Sequence, residues 1–273
     1  MRSSLLAVAL VLSVHAVPSL WAQEDPITYT RFLVPLYQAP VAGAYGSLWE
    51  VNTWIHYAGQ NEAQMVPRPV CYAIQCILLE GQLGPETPVL PFHLLGATTF
   101  PSGVVVHVDQ RYASAVTFAS RVRDLSRQRE SAGTEVPVIR EDRLLSLPRV
   151  LLNVPVAPRY RNTLRVYALP EVPNPEVEVR YFRQPEDTSR LEGANELLRR
   201  DRVPLATYPE VQNYKLHPSG ATIGNFETFA ELLAEDEIWI EIVPLTPGLR
   251  IWAMVSVTNN ETQQITLITP GGR

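Results

Sequence analysis

Lysine is almost missing from this chain: Lys215 stands beside 22 arginines among the 23 basic residues. That bias points to a GC-rich bacterial genome. Cysteine is equally scarce, with two in 273 residues, too few for a disulfide-dense scaffold. Glycine is thin, at 14 residues or about 5% where ~7% is usual, and no glycine-rich segment has the spacing that cradles phosphate. Charged residues make up 19%, below the usual ~25%, so the surface must be lightly charged. Basic charge is shortest of all. The formal net charge is −5 and the isoelectric point near 5.6, which argues against the basic face of a nucleic-acid binder. Proline is in excess, at 24 residues or about 9% where ~5% is ordinary. Because proline breaks helix interiors and is confined to strand edges and turns, that excess argues against a mainly helical protein.

The first 22 residues read as a secretory signal. Met1-Arg2 is a short basic start, residues 5–17 form an apolar run broken only by Ser13 and His15, and small Ala22 precedes Gln23-Glu24-Asp25. Cleavage is expected after Ala22, with Ala16 the alternative. Removing 1–22 takes away Arg2 and no acid, leaving 22 − 28 = −6. The signal holds no cysteine for a lipid anchor, and residues 269–273 form no hydrophobic tail. Beyond residue 22 no run reaches the ~18 apolar residues of a membrane span. The expected product is secreted or periplasmic, soluble, and not an integral membrane protein.

Export gives Cys71 and Cys76 meaning, since two nearby cysteines in an oxidising compartment default to a disulfide. A straight strand would hold them ~16 Å apart on opposite faces, whereas bridged Cα atoms lie within ~7 Å. The segment is therefore either a tight loop with a bridge, the favoured reading, or a strand with two buried thiols. No C-x-x-C and no nearby histidine suggests a metal site there.

Runs rich in β-branched and aromatic residues occupy 31–37, 48–57, 103–109, 115–124, 161–169, 176–182, 237–243, 250–257 and 263–269. Several alternate with the period of a half-buried strand: Val177, Val179 and Tyr181 against Glu176, Glu178 and Arg180, or Ile238, Ile240 and Ile242 against Trp239 and Glu241. Proline-punctuated strands at this spacing predict an all-β fold of two tandem antiparallel sandwich domains, immunoglobulin-like or jelly-roll-like. Helical spacing occurs at Phe226, Phe229, Ala230 and Leu233, and more weakly over 188–202, a short helical insertion in the second domain. Two internal matches support duplication. N-T-x-x-x-Y occurs at 52–57 and 162–167, and V-x-(D/N)-x-x-x-Q at 122–128 and 257–263. The expected division is signal 1–22, first sandwich 23–149 and second sandwich 150–273, with a seam over 147–158.

The ending W-A-M-V-S-V-T-N-N-E-T-Q-Q-I-T-L-I-T-P at 252–270, and G-T-E-V-P-V-I-R-E at 133–141, resemble parts of a group of functionally uncharacterised secreted two-domain β-sandwich proteins from high-GC soil bacteria. That resemblance implies export and a β-rich fold and assigns no site residue. The exported two-sandwich plan also resembles periplasmic pilus chaperones, without a shared motif and with an acidic balance that fits them poorly.

Catalytic signatures are sparse. Gly46-Ser47 and Ser219-Gly220 each lack half of a G-x-S-x-G elbow. His56, His93, His107 and His217 show no metal-ligand spacing, and His107 with Asp109 on one strand face is as well read as a solvated edge. No catalytic residue, metal or cofactor is expected. Arg121, Arg123, Arg127, Arg129, Arg140 and Arg143 crowd one region among Asp124, Glu130, Glu135, Glu141 and Asp142, which reads as an ion-paired face. If 237–243 and 250–257 pair as a hairpin, Trp239, Trp252 and Met254 share the face opposite the isoleucines. They then either pack under another part of the chain or form an exposed surface for sugar rings or a protein. Trp49 and Trp54 lie on opposite faces of their strand, so one of them could serve likewise. The expected role is non-catalytic binding or scaffolding of an extracellular protein or polysaccharide, ahead of a secreted polysaccharide hydrolase or an assembly chaperone.

Overall fold

The computed structural model describes residues 27–36, 41–72, 75–85, 89–91, 103–127, 132–183, 196–209, 215–224 and 237–271. The expected signal at 1–22 and the expected helix at 226–233 both lie outside the described residues. Among those described there are three 3-10 turns and no α-helix, and nearly everything else is strand. The earlier part of the chain supplies β1 (Tyr29–Val34), β2 (Val41–Ala42), β3 (Leu48–Tyr57), β4 (Ala63–Tyr72), β5 (Gln75–Leu83), β6 (Val89–Pro91), β7 (Val104–Asp109), β8 (Val116–Asp124), β9 (Thr134–Glu135) and β10 (Ile139–Arg140). The later part supplies β11 (Arg149–Pro155), β12 (Tyr160–Ala168), β13 (Glu176–Arg183), β14 (Leu197–Pro204), β15 (Ser219–Gly224), β16 (Glu237–Pro244), β17 (Ile251–Asn259) and β18 (Ile265–Ile268). Each run marked by period-two or β-branched patterning overlaps one of these strands.

Four antiparallel sheets result. The first half has β10-β1-β7-β4-β5 facing β2-β3-β8-β9, with β6 also on β3; the second has β11-β16-β13-β14 facing β15-β12-β17-β18. Setting aside the two-residue β2 and β10, the halves repeat one plan. β1-β7-β4-β5 corresponds to β11-β16-β13-β14, and β6-β3-β8-β9 to β15-β12-β17-β18, each in the same chain order.

The V-x-(D/N) match marks equivalent turns. Asp124 Oδ1 accepts the Ser126 N–H at 3.0 Å and Asn259 Oδ1 the Glu261 N–H at 2.8 Å, so both side chains close the turn two residues on. The N-T-x-x-x-Y match does not mark equivalent residues. Asp124 lies opposite Trp49 and Asn259 opposite Tyr160, so β3 and β12 correspond at 160 − 49 = 111, not at the 110 of the shared letters. A one-residue slip turns every side chain to the other face. Tyr57 accordingly packs inside the first half, while Tyr167 packs between the halves.

Three apolar clusters hold the fold. One lies between the sheets of the first half (Val34, Ile55, Met65, Val106), and one between those of the second (Leu164, Val179, Ile240, Val255). The third joins the halves: Leu33, Val105 and Leu144 meet Tyr167, Trp252 and Met254. β7 (VVVHVD) and β17 (IWAMVSVTN) are therefore covered on both faces, which is why neither alternates in sequence. Tyr167 stacks on Trp252 with centroids 6.0 Å apart, and its hydroxyl donates to the Pro35 carbonyl at 2.5 Å across the junction. Burial pushes the Tyr167 phenol well above its ordinary pKa, keeping it a donor.

Several expectations need correction. Residues 237–243 and 250–257 do not form a hairpin: β16 and β17 belong to different sheets. Pro244, Pro247 and Gly248, the last at φ 76°, carry the chain across the sandwich instead of back along one sheet. The stretch 197–202 is not helical but lies in β14, paired along β13. The segment around Cys71 and Cys76 is neither a loop nor a single strand. It is the end of the β4–β5 hairpin, with Tyr72 opposite Gln75 and Cys71 opposite Cys76. Pro67 and Pro69 are tolerated in β4 because that strand pairs with β7 only at Met65 and Val66, leaving one side of its later residues off the ladder. The stretch 147–158, where the seam is expected, holds β11, an edge strand that begins at Arg149.

Replacing Tyr167 with Phe leaves a buried Pro35 carbonyl without its donor. The expected loss is about 1–3 kcal/mol, read from the urea midpoint at unchanged m-value.

Candidate functional site

A groove of about 1180 Å³ lies beside the junction. Its walls come from the segment before β11, from β11 itself and from the end of the chain, and Trp252 contributes to its base. Leu145, Leu147 and Leu152 line it with 36%, 65% and 58% of their surface exposed. Large apolar side chains grouped in this way are the usual mark of a binding surface.

The wall is fixed in place. Leu144 is fully buried in the cluster between the halves, and Leu145 exchanges backbone hydrogen bonds with Ile251 at 3.1 and 2.9 Å. Arg250 Nε donates to the Leu144 carbonyl at 2.9 Å, and its Nη2 to that of Glu141. Glu141, in a 3-10 turn, is held in turn by β1. The Arg31 N–H donates to Oε1 at 3.1 Å and Arg31 Nε to Oε2 at 2.9 Å, while Arg31 also pairs with Glu171 of the second half.

Two arginines, Arg143 and Arg149, and one carboxylate, Asp142, line the same groove. Burial lowers the Arg149 guanidinium from its ordinary value. Its Nε is buried and has no hydrogen-bond partner among the described residues, a state that costs free energy until an acceptor arrives. The arrangement suits an apolar chain carrying an acceptor or acid group. Among the described residues, no histidine lines the groove.

Of the three residues singled out in the sequence, Trp252 and Met254 are brought together but buried, and Trp239 lies apart from them. Met254 is fully buried and Trp252 only 4% exposed, both in the cluster between the halves. Trp239 lies on β16 in another sheet, stacked on Phe182 with centroids 3.9 Å apart and planes at 8°. The shared exposed surface depended on a hairpin that the fold does not make. The exposed leucines carried no sequence signal, because a leucine beside a proline reads the same whether covered or bare.

The arginine-rich region is largely ion-paired. Arg123 binds Glu50 at 3.0 Å, Arg127 binds Asp124 at 3.2 Å and Arg140 approaches Asp142 at 3.6 Å; Arg129 lies outside the described residues. Burial raises the Asp124 carboxyl, but hydrogen bonds from Ser126, the Leu48 N–H and Arg127 outweigh it and hold the group below its ordinary range. Asp109 is likewise lowered by Arg111, which binds it at 2.6 Å. His56 is exposed on β3 and His107 buried on β7, in different sheets, while His93 lies outside the described residues.

Burial first, and then the neighbouring Arg31 charge, push His107 down to about 4. Glu141 and hydrogen bonds to the backbone of Val105 and Val66 oppose the shift. Folded His107 is neutral while the unfolded imidazole protonates near its ordinary 6.5, so the unfolded chain binds more protons between those values. Stability is complete above about 6.5 and falls as pH drops towards about 4, by on the order of 3 kcal/mol from this group. His217, lowered by burial, acts in the same direction. The urea midpoint of His107→Gln should therefore change less between pH about 7.5 and about 4.5 than that of the unaltered protein; equal changes would show that His107 does not drive the loss.

Comparison of the chain with protein-family models, with curated proteins and with solved structures finds no match.

Proposed function

We propose that this is an exported, non-catalytic binding or scaffolding protein of the periplasm or cell exterior, and that it takes an extended apolar segment of a partner protein in the groove beside the junction. The observation that carries this reading is the pairing of bare leucines with a buried unpartnered donor in one fixed wall. Leu147 and Leu152 are more than half exposed, and Arg149 Nε lacks an acceptor among the described residues. Covering the leucines recovers hydrophobic free energy at ~25 cal/mol per Å², and an acidic group on the partner would satisfy the arginine.

The signal at 1–22 supports export, and export gives the cysteines an oxidising setting. Cross-strand neighbours in an antiparallel ladder have Cα atoms ~4.5–5.5 Å apart, inside the ~4.4–6.8 Å that a disulfide spans. Cys71 and Cys76 occupy such a pair, and we assign them a bridge that staples the tip of the β4–β5 hairpin. Intact-mass analysis of unreduced secreted protein should find it two hydrogen atoms lighter than after reduction; a mass that reduction leaves unchanged would exclude the bridge.

The binding role is tested by using mature protein and a Leu147→Asp/Leu152→Asp variant as baits in the secreted fraction of the native organism, then titrating the purified partner by calorimetry. A partner bound by the unaltered protein and lost by the variant is the expected result. Equal capture by both, or turnover of polysaccharide by the purified protein, would overturn the reading.

A further inference from the structure

One wall of the groove is a strand edge, and the first half shows how the matching edge is filled. β1 and β11 hold the same place in the repeated plan. β1 has a second neighbour, β10, which pairs antiparallel with it at Phe32 and Leu33 and makes it an interior strand. β11 has β16 on one side and, among the described residues, no strand on the other. The groove borders this strand, and Arg149, Val150 and Leu152 line it.

Strand parity decides which backbone groups face the open side. Leu245 donates its N–H to the Glu176 carbonyl at 2.9 Å, so Val243 and Glu241, at alternate positions of β16, also turn their backbone groups to β13. Ile242 and Ile240 turn the other way, towards Arg149 and Leu151 of β11. Val150 therefore directs its N–H and C=O away from β16, and no described residue bonds either group. On β1 the residue turned in the same sense is Arg31, whose N–H is taken by Glu141 Oε1 at 3.1 Å, just beyond β10. That edge thus receives both a strand and a carboxylate. The bulge between Leu151 and Val154 ends the usable edge of β11, so a partner can pair only ahead of it, over a stretch as short as β10.

We propose that the partner segment enters the groove as a short strand antiparallel to β11, in the place that β10 takes on β1, and that it alternates apolar and acidic residues. This rests on the groove reading and adds how the occupant lies and what it is made of. Val150 offers one donor and one acceptor that fix the register of the added strand. Main-chain pairing alone is indifferent to sequence, so selection falls to the side chains. Leu147 and Leu152, both exposed, cover apolar residues of the partner, and the buried, unpartnered Arg149 Nε takes a carboxylate. A fatty acid would satisfy the leucines and the arginine, but it has no N–H for the Val150 carbonyl.

The test is calorimetric titration of the full mature chain with a capped octapeptide of alternating valine and glutamate. The peptide should bind, and more tightly than laurate or a valine–lysine peptide. Val150→Pro removes the outward N–H and leaves the ladder to β16 untouched, since proline is tolerated where its nitrogen faces off the sheet. It should weaken binding by about tenfold, with a thermal melt matching that of the unaltered protein, while Val150→Thr keeps the affinity. Without any variant, the same peptide N-methylated at every amide should lose binding. Arg149→Gln should weaken the valine–glutamate peptide and leave a valine–glutamine peptide unchanged. No binding of the valine–glutamate peptide at millimolar concentration, tighter binding of laurate or of the lysine peptide, or undiminished binding of the N-methylated peptide would overturn the proposal. Binding that is lost in Leu147→Asp/Leu152→Asp but indifferent to Val150→Pro and to N-methylation would overturn the added strand and leave the groove reading standing. Failure of the groove reading itself shows in equal capture of the native partner by the unaltered protein and the leucine variant.

Discussion

The layer of side chains between the two halves is the constraint on which the rest of the structure depends. Its members come from three sheets, and Leu33, Val105, Leu144, Tyr167 and Met254 are each at most 1% exposed. Full burial of a side chain of this size is worth ~1.5–3 kcal/mol, so the layer rivals either sandwich interior. It covers the second face of β17, and of β12 at Tyr167. It also pins the segment before β11, because Leu144 is anchored in the layer while Leu145 and Leu147 stand outside it. The groove exists because one end of a short segment is held and the rest must pass over the surface.

Scarce charge is used mainly in pairs along strands and at edges. Arg180 of β13 bridges Glu178 and Glu241, and the stack of Phe182 on Trp239 continues the same outer face. The edge strand β14 carries Arg199, Arg200, Asp201 and Arg202, the kind of charged edge that discourages pairing with another chain. At the opposite edge of that sheet, β11 breaks its register between Leu151 and Val154, with Asn153 at φ 56°. A bulge of this kind twists an edge out of reach.

Much of the fold could be read from the sequence because a half-buried strand writes its face into alternate residues. Val177, Val179 and Tyr181 point inward as their spacing requires, and so do Ile238, Ile240 and Ile242. What could not be read was which strands become neighbours. The passage from β16 to β17 has the prolines and glycine of a turn, and the same residues serve a hairpin or a crossing between sheets. That ambiguity left open whether Trp252 and Met254 pack under another part of the chain or lie on a surface, and they pack against the first half. β4 was hidden by Pro67 and Pro69, which are acceptable because its pairing with β7 stops at Val66. Trp54 could be placed opposite Trp49 by parity, but parity does not say which of the two faces stays uncovered.

The shared layer also bears on portability. A chain whose halves repeat one eight-strand plan invites the view that either half is a module, free to be fused elsewhere. The face that a free-standing sandwich would keep polar on β17 is occupied here by Trp252 and Met254, and cutting the chain at the junction would bare these two large apolar groups together with Tyr167. The second half is therefore not portable as it stands: moved alone, it would need polar residues at these positions.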